Sequence, residues 1–150
     1  MIRASFDPAL LGACGTKGSI VAYFATFEKK RIEEMAGFSA KYRKRLEALL
    51  ERFVDPLDIV RESVYHVGFA GSFSLKAVAP ALLGDSLSYE GLNVADGGAA
   101  QRAFTELIAE TTSELRRNEL KRDLLLYCEQ DTRAMVETVK WLQSIDQEPS

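Results

Sequence analysis

Tyr127 and Asp131 stand four residues apart in "LLLYCEQDTRAMV", residues 124–136. On a helix that spacing sends both side chains off the same side, one turn apart. Apolar residues recur at Leu120, Leu124, Tyr127, Cys128, Met135, Val139 and Leu142, and the stripe they draw runs through Asp131. A carboxylate on a core-facing stripe needs a partner, because an unpaired buried charge is very costly. An arginine, a cap or a divalent metal would each supply one. The alternative is a helix-surface carboxylate beside a core tyrosine. Glu28 raises the same question. It opens a helical segment just after an apolar run and shares a face with Ile32 and Met35. The helix macrodipole by itself also favours an acid in a first turn. His66 is the sole histidine, so Ser-His-Asp or Cys-His machinery has no support. Gly15-Thr16-Lys17-Gly18 lacks the glycine spacing and the Gly-Lys-Ser/Thr ending of a phosphate-binding loop and reads as a turn.

The elements that must position these residues follow from periodicity and punctuation. A short helix is expected over 8–14. Ser19 to Phe24 is a β-branched and aromatic run that reads as a buried strand, and Thr26 then caps a helix from Phe27 to Ala36, stopped by Gly37. A further helix is expected from Lys41 to Phe53, followed by a second strand over 54–60, with Pro56 at an edge or entry position. Residues 65–73 read as loop, and Ser74 caps a helix through Leu83. The Gly/Asp/Ser-rich 84–98 reads as a long loop, and helices are expected over 99–110 and from Ser113 to Ile145. The tail 146–150 is expected to fray. Residues 19–24 and 54–60 should pair as neighbouring parallel strands.

A chain of 150 residues that is 47% hydrophobic has the size and apolar content of one domain with one core. A net charge of −3 with 27% charged residues argues against disorder. The pI near 5.3 argues against a protein that coats nucleic acid generally. Charge is uneven, however: seven Lys or Arg fall between Lys29 and Arg45 against Glu33 and Glu34, and Arg116, Arg117, Lys121 and Arg122 form a second group. Solvated helix faces or a phosphate-facing patch would both account for this. No apolar run approaches 18 residues, so no membrane span is expected. The opening residues lack the apolar core of a signal peptide. Two distant cysteines, Cys14 and Cys128, are consistent with a reduced, cytoplasmic protein and give no zinc site.

Two acids on apolar helix faces, one after a strand and one beside a tyrosine, resemble the ribonuclease-H-like DEDD exonucleases of the tyrosine subtype. The third motif there is Tyr-x-x-x-Asp on a late helix, matched by Tyr127 to Asp131, and the second is matched by Tyr23 to Glu28. The chain also resembles the bacterial domain-of-unknown-function family 2779 from Gly18 to about Leu142. The phrases that carry this are "GSIVAY", "FEKKRIEEMA", "VDPLDIVRESVYH", "GSFSLKAVAPAL", "LSYEGLNVADGGAA" and "LLLYCEQDTRAMV". The resemblance implies a truncated ribonuclease-H-like, exonuclease-like α/β fold, helix-rich with about two parallel strands.

It further implies metal-dependent 3′–5′ exonuclease-type phosphodiester hydrolysis, with two Mg²⁺ or Mn²⁺ ions roughly 4 Å apart. Glu28 and Asp131 would be metal ligands and should approach one another, and the Tyr127 hydroxyl would orient the attacking water. Ser74, Lys76 and His66 would contact substrate, a single-stranded nucleic acid or a nucleic-acid end. Two departures stand out. Phe24 occupies the place where such families usually carry Asn. The first motif, Asp-x-Glu on the first strand, is missing, the only match being Asp146-Gln147-Glu148 in the polar tail. The chain therefore reads as the C-terminal part of such a domain, inactive by itself, and expected to self-associate or to require the missing N-terminal region. The rival reading is a non-catalytic nucleic-acid or protein interaction module that retains the fold.

Overall fold

The computed structural model describes residues 3–145. The tail, including Asp146 and Glu148, lies outside them. The chain divides into two compact units, residues 1–64 and 65–150.

The first unit contains α1 (Arg3–Cys14), β1 (Ile20–Val21), α2 (Thr26–Phe38), α3 (Arg43–Leu50), β2 (Phe53–Val54) and α4 (Pro56–Ser63). Its core is Leu11 from α1, Ile32 and Ala36 from α2, and Leu46 and Leu49 from α3. The strands pair in parallel, Ile20 with Phe53 and Val21 with Val54. Both are shorter than expected: the first is half-buried and ends before the turn at Tyr23–Ala25, and the second apolar run belongs mostly to a helix. Asp55 caps α4, its carboxylate accepting from the Leu57 amide at 3.0 Å, and Pro56 takes the first helical turn, where its missing N–H costs nothing. The strand expected over 54–60 is thus two residues of strand followed by a helix, and Asp58 lies in that helix's first turn. Gly37 does not stop α2, which continues to Phe38. Arg52 ties β2 to the turn after α1: its guanidinium donates to the carbonyls of Cys14 (2.7 Å), Gly15 (2.9 Å), Lys17 (2.7 Å) and Gly18 (2.7 Å).

The second unit contains α5 (Leu75–Leu83), α6 (Gly97–Ile108) and the 32-residue α7 (Glu114–Ile145), with short 3₁₀ turns at Val67–Phe69 and Asp85–Leu87. Both α5 and α6 pack against α7. Val94, Ala103 and Leu120 form one apolar cluster, with Leu124 and Tyr127 packed against it. Arg117 closes the α6–α7 connection by donating to the carbonyls of Leu107, Ala109 and Thr112. Among the described residues no helix is long and apolar enough to cross a membrane.

A candidate tyrosine–carboxylate site

The inward face of α7 is drawn by Leu120, Ala134 and Thr138, all buried, with Tyr127 and Asp131 half-buried between them. Asp131 does lie in the core stripe. Its partner is a residue that periodicity did not single out: the Tyr89 hydroxyl donates to Asp131 Oδ1 at 2.9 Å. Tyr89 sits in the loop between α5 and α6 and is only 6% exposed. Its ring lies 6.2 Å from that of Tyr127, centroid to centroid. Gln130, one residue before Asp131, donates to the carbonyls of Ser86 and Ser88 and so pins this loop to α7.

Lys76 comes from α5 and completes the cluster. Its ammonium lies 5.4 Å from the Tyr89 ring centroid and 5.6 Å from that of Tyr127. It also donates a short hydrogen bond to the Ala95 carbonyl. Both tyrosines are held neutral. Burial pushes the Tyr89 phenol far above its ordinary value, and the Asp131 charge together with the hydrogen bond to it pushes the same way. Burial likewise raises Tyr127, followed by the charge of Asp131. Asp96 caps α6 through the Ala99 amide at 2.7 Å. That bond is the main cause that holds its carboxyl below the ordinary range, and Lys76 adds to it.

Of the residues singled out by sequence, Lys76, Tyr127 and Asp131 come together here. His66 and Ser74 serve local turns. The His66 Nδ1 accepts from the Gly68 amide at 3.0 Å and its ring is tilted against Phe69. Ser74 occupies the N-cap position of α5 without a capping side-chain bond, its hydroxyl instead accepting from Ser72 at 3.2 Å. Glu28 stands in the first turn of α2 in the first unit, with Oε2 shielded from solvent. Cys128 is exposed, because the buried stripe passes to one side of it. Phe24 adopts φ 61°, a left-handed backbone that Asn tolerates and a bulky residue adopts only at a cost.

A hard divalent cation needs several anionic oxygens. Among the described residues no group of three or more His, Cys, Asp or Glu is gathered closely enough to hold one. The tyrosine cluster offers the Asp131 carboxylate, with the capping Asp96 carboxylate near Lys76 and Tyr127, and an ammonium on its aromatic rings. The described residues do not fit a resident Mg²⁺ or Mn²⁺. The second unit also has an open cleft of about 580 Å³ between α6 and α7. There Arg102, Arg116 and Arg122 are balanced by Glu106, Glu119 and Asp123. Arg116 is already engaged by Glu106 at 2.8 Å and by Glu119 at 3.3 Å, which leaves little net field for an anion.

The chain is similar to one family of unknown function and to uncharacterized proteins of mycoplasmas and a ureaplasma. Residues 2–74 match the family described as "Domain of unknown function (DUF2779)". An uncharacterized protein of Mycoplasma pneumoniae is 31% identical over 129 residues, covering 79% of this chain and 19% of its own length. An uncharacterized protein of Ureaplasma parvum is 25% identical over 138 residues, covering 81% of this chain and 20% of its own length. One of Mycoplasma genitalium is 26% identical, covering 85% and 21%. The chain thus spans about a fifth of the length of the curated relatives it matches. No solved structure matches it.

Proposed function

We propose, starting from the match of residues 2–74 to DUF2779, that this chain is a nuclease-like domain that engages nucleic acid and does not hydrolyse it alone. The reading rests on the ribonuclease-H-like resemblance of the Tyr-x-x-x-Asp motif. The observation that carries it is the set of contacts around Asp131. A core-facing carboxylate is oriented by the Tyr89 hydroxyl and flanked by Tyr127, with the Lys76 ammonium over both rings.

Such an arrangement fixes one acid and one phenol side by side, both semi-enclosed, and supplies a cation able to meet a phosphate oxygen. Among the described residues it does not gather the three or more acids that a hard divalent cation needs. On this reading, 3′–5′ exonuclease-type hydrolysis belongs to a larger assembly, in which the longer relatives or another chain contribute the missing carboxylates. The Tyr127 hydroxyl would then orient, and Asp131 would hold, what enters the site.

A labelled single-stranded DNA incubated with the chain and Mn²⁺ tests this. The expected result is binding without cleavage. Cleavage abolished by Asp131→Asn would show that the site is complete in this chain, and absence of both binding and cleavage would refute the nucleic-acid reading.

A further inference from the structure

Phe24 combines two costs. Its backbone lies in the left-handed region at φ 61°, and its side chain is 57% exposed, so the strain is not offset by burial. Hydrogen bonds hold it there. The Asp55 carboxylate accepts from the Phe24 amide at 3.0 Å through one oxygen and from the Ala25 amide at 2.8 Å through the other. One turn later Phe27 is 61% exposed, with the Arg31 guanidinium 5.4 Å from its ring centroid. Lys30, on the same turn, is exposed. The first unit carries eleven Lys or Arg against nine Asp or Glu, whereas the second carries eight against thirteen. Two exposed rings one turn apart, one on a strained backbone and the other with a guanidinium on its face, on the unit of an acidic chain that carries net positive charge, are features of a surface that stacks bases and meets phosphates.

We propose that Phe24 and Phe27 form a stacking platform for adjacent bases of a single-stranded nucleic acid, with Lys30 and Arg31 meeting its phosphates. Arg31 is shared with Glu34 at 2.7 Å, an exposed pair that a phosphate can displace at small cost. The platform rests on the nucleic-acid reading above, but it names a surface distinct from the Tyr127–Asp131 cluster.

The test is fluorescence anisotropy of a labelled oligothymidylate with the full chain over a series of salt concentrations. Phe27→Ala should weaken binding about fivefold or more, the effect of losing one base–aromatic stack, while Phe27→Trp should retain it. Phe24→Asn relieves the strain and removes the ring, so it should preserve far-UV circular dichroism and weaken binding similarly. Lys30→Ala should reduce the slope of log affinity against log salt by about 0.7, one phosphate contact on a single strand. If the chain binds but Phe27→Ala and Phe24→Asn stay within twofold of it, the platform is wrong and the nucleic-acid reading stands. If the unaltered chain binds no oligonucleotide at low salt, both fall.

Discussion

Removal of the Tyr89 hydroxyl probes the central contact with little change of shape. Tyr89→Phe deletes one hydrogen bond of 2.9 Å to a carboxylate from a ring that is 6% exposed. A hydrogen bond to a charged group contributes about 1.5–3 kcal/mol net. Asp131 is half-buried, and water can replace part of what its oxygen loses, so the lower end applies, about 1.5 kcal/mol. For a unit of this size that corresponds to a fall in melting temperature of roughly 6–12 °C. Asp131→Asn should cost less, since the amide oxygen still accepts from Tyr89, only without the charge that strengthens the bond. The decisive quantity is the coupling in a double-mutant cycle, read by thermal and urea unfolding monitored by circular dichroism. We expect about 1 kcal/mol between Tyr89→Phe and Asp131→Ala. Additive effects within about 0.3 kcal/mol would refute the claim that Tyr89 positions Asp131.

Two further outcomes concern the first unit. Arg52→Ala should destabilise it by about 2–3 kcal/mol, because four carbonyls lose one donor group, and Arg52→Lys should recover only part of this since an ammonium cannot span all four; urea unfolding measures both. Tyr23 is raised from 10.0 to about 12, first by burial and then by the Asp55 charge. The folded state therefore binds its proton more tightly than the unfolded state, so this contribution is complete below pH 10 and is lost as pH rises from 10 to 12. Tyr23→Phe should flatten the stability profile across that window, and an unchanged alkaline slope would contradict the assignment.

The order of helices was readable because α2, α6 and α7 carry their punctuation and spacing in the open. Asp131's place in the core stripe was readable for the same reason. Its partner was not, because Tyr89 is 42 residues away and lies in a loop, where no periodicity marks the inward residues. The one local sign was the tyrosine itself, a large amphipathic residue amid Gly, Asp and Ser that does well only when its ring is covered and its hydroxyl bonded. The second strand gives way to a helix at Asp55-Pro56. Ile59 and Val60 favoured an extended reading by residue type, but an N-cap aspartate followed by proline is a helix start, and the helix prevailed. Arg117 read as one of a group of helix charges and Arg52 drew no notice, yet both use their guanidinium to gather carbonyls at local chain reversals.

Asp55 serves three amides from two places in the chain, those of Phe24 and Ala25 just after β1 and that of Leu57 in α4. Neither segment can open without loosening the other's acceptor. In native-state hydrogen exchange these amides should behave as one opening unit, with matched free energies despite a separation of more than 30 residues. Heritable change is constrained in the same way. Insertions between Val54 and Leu57 would shift the carboxylate away from the turn at Phe24, so the connection after β2 has less freedom of length than its position between two elements would suggest.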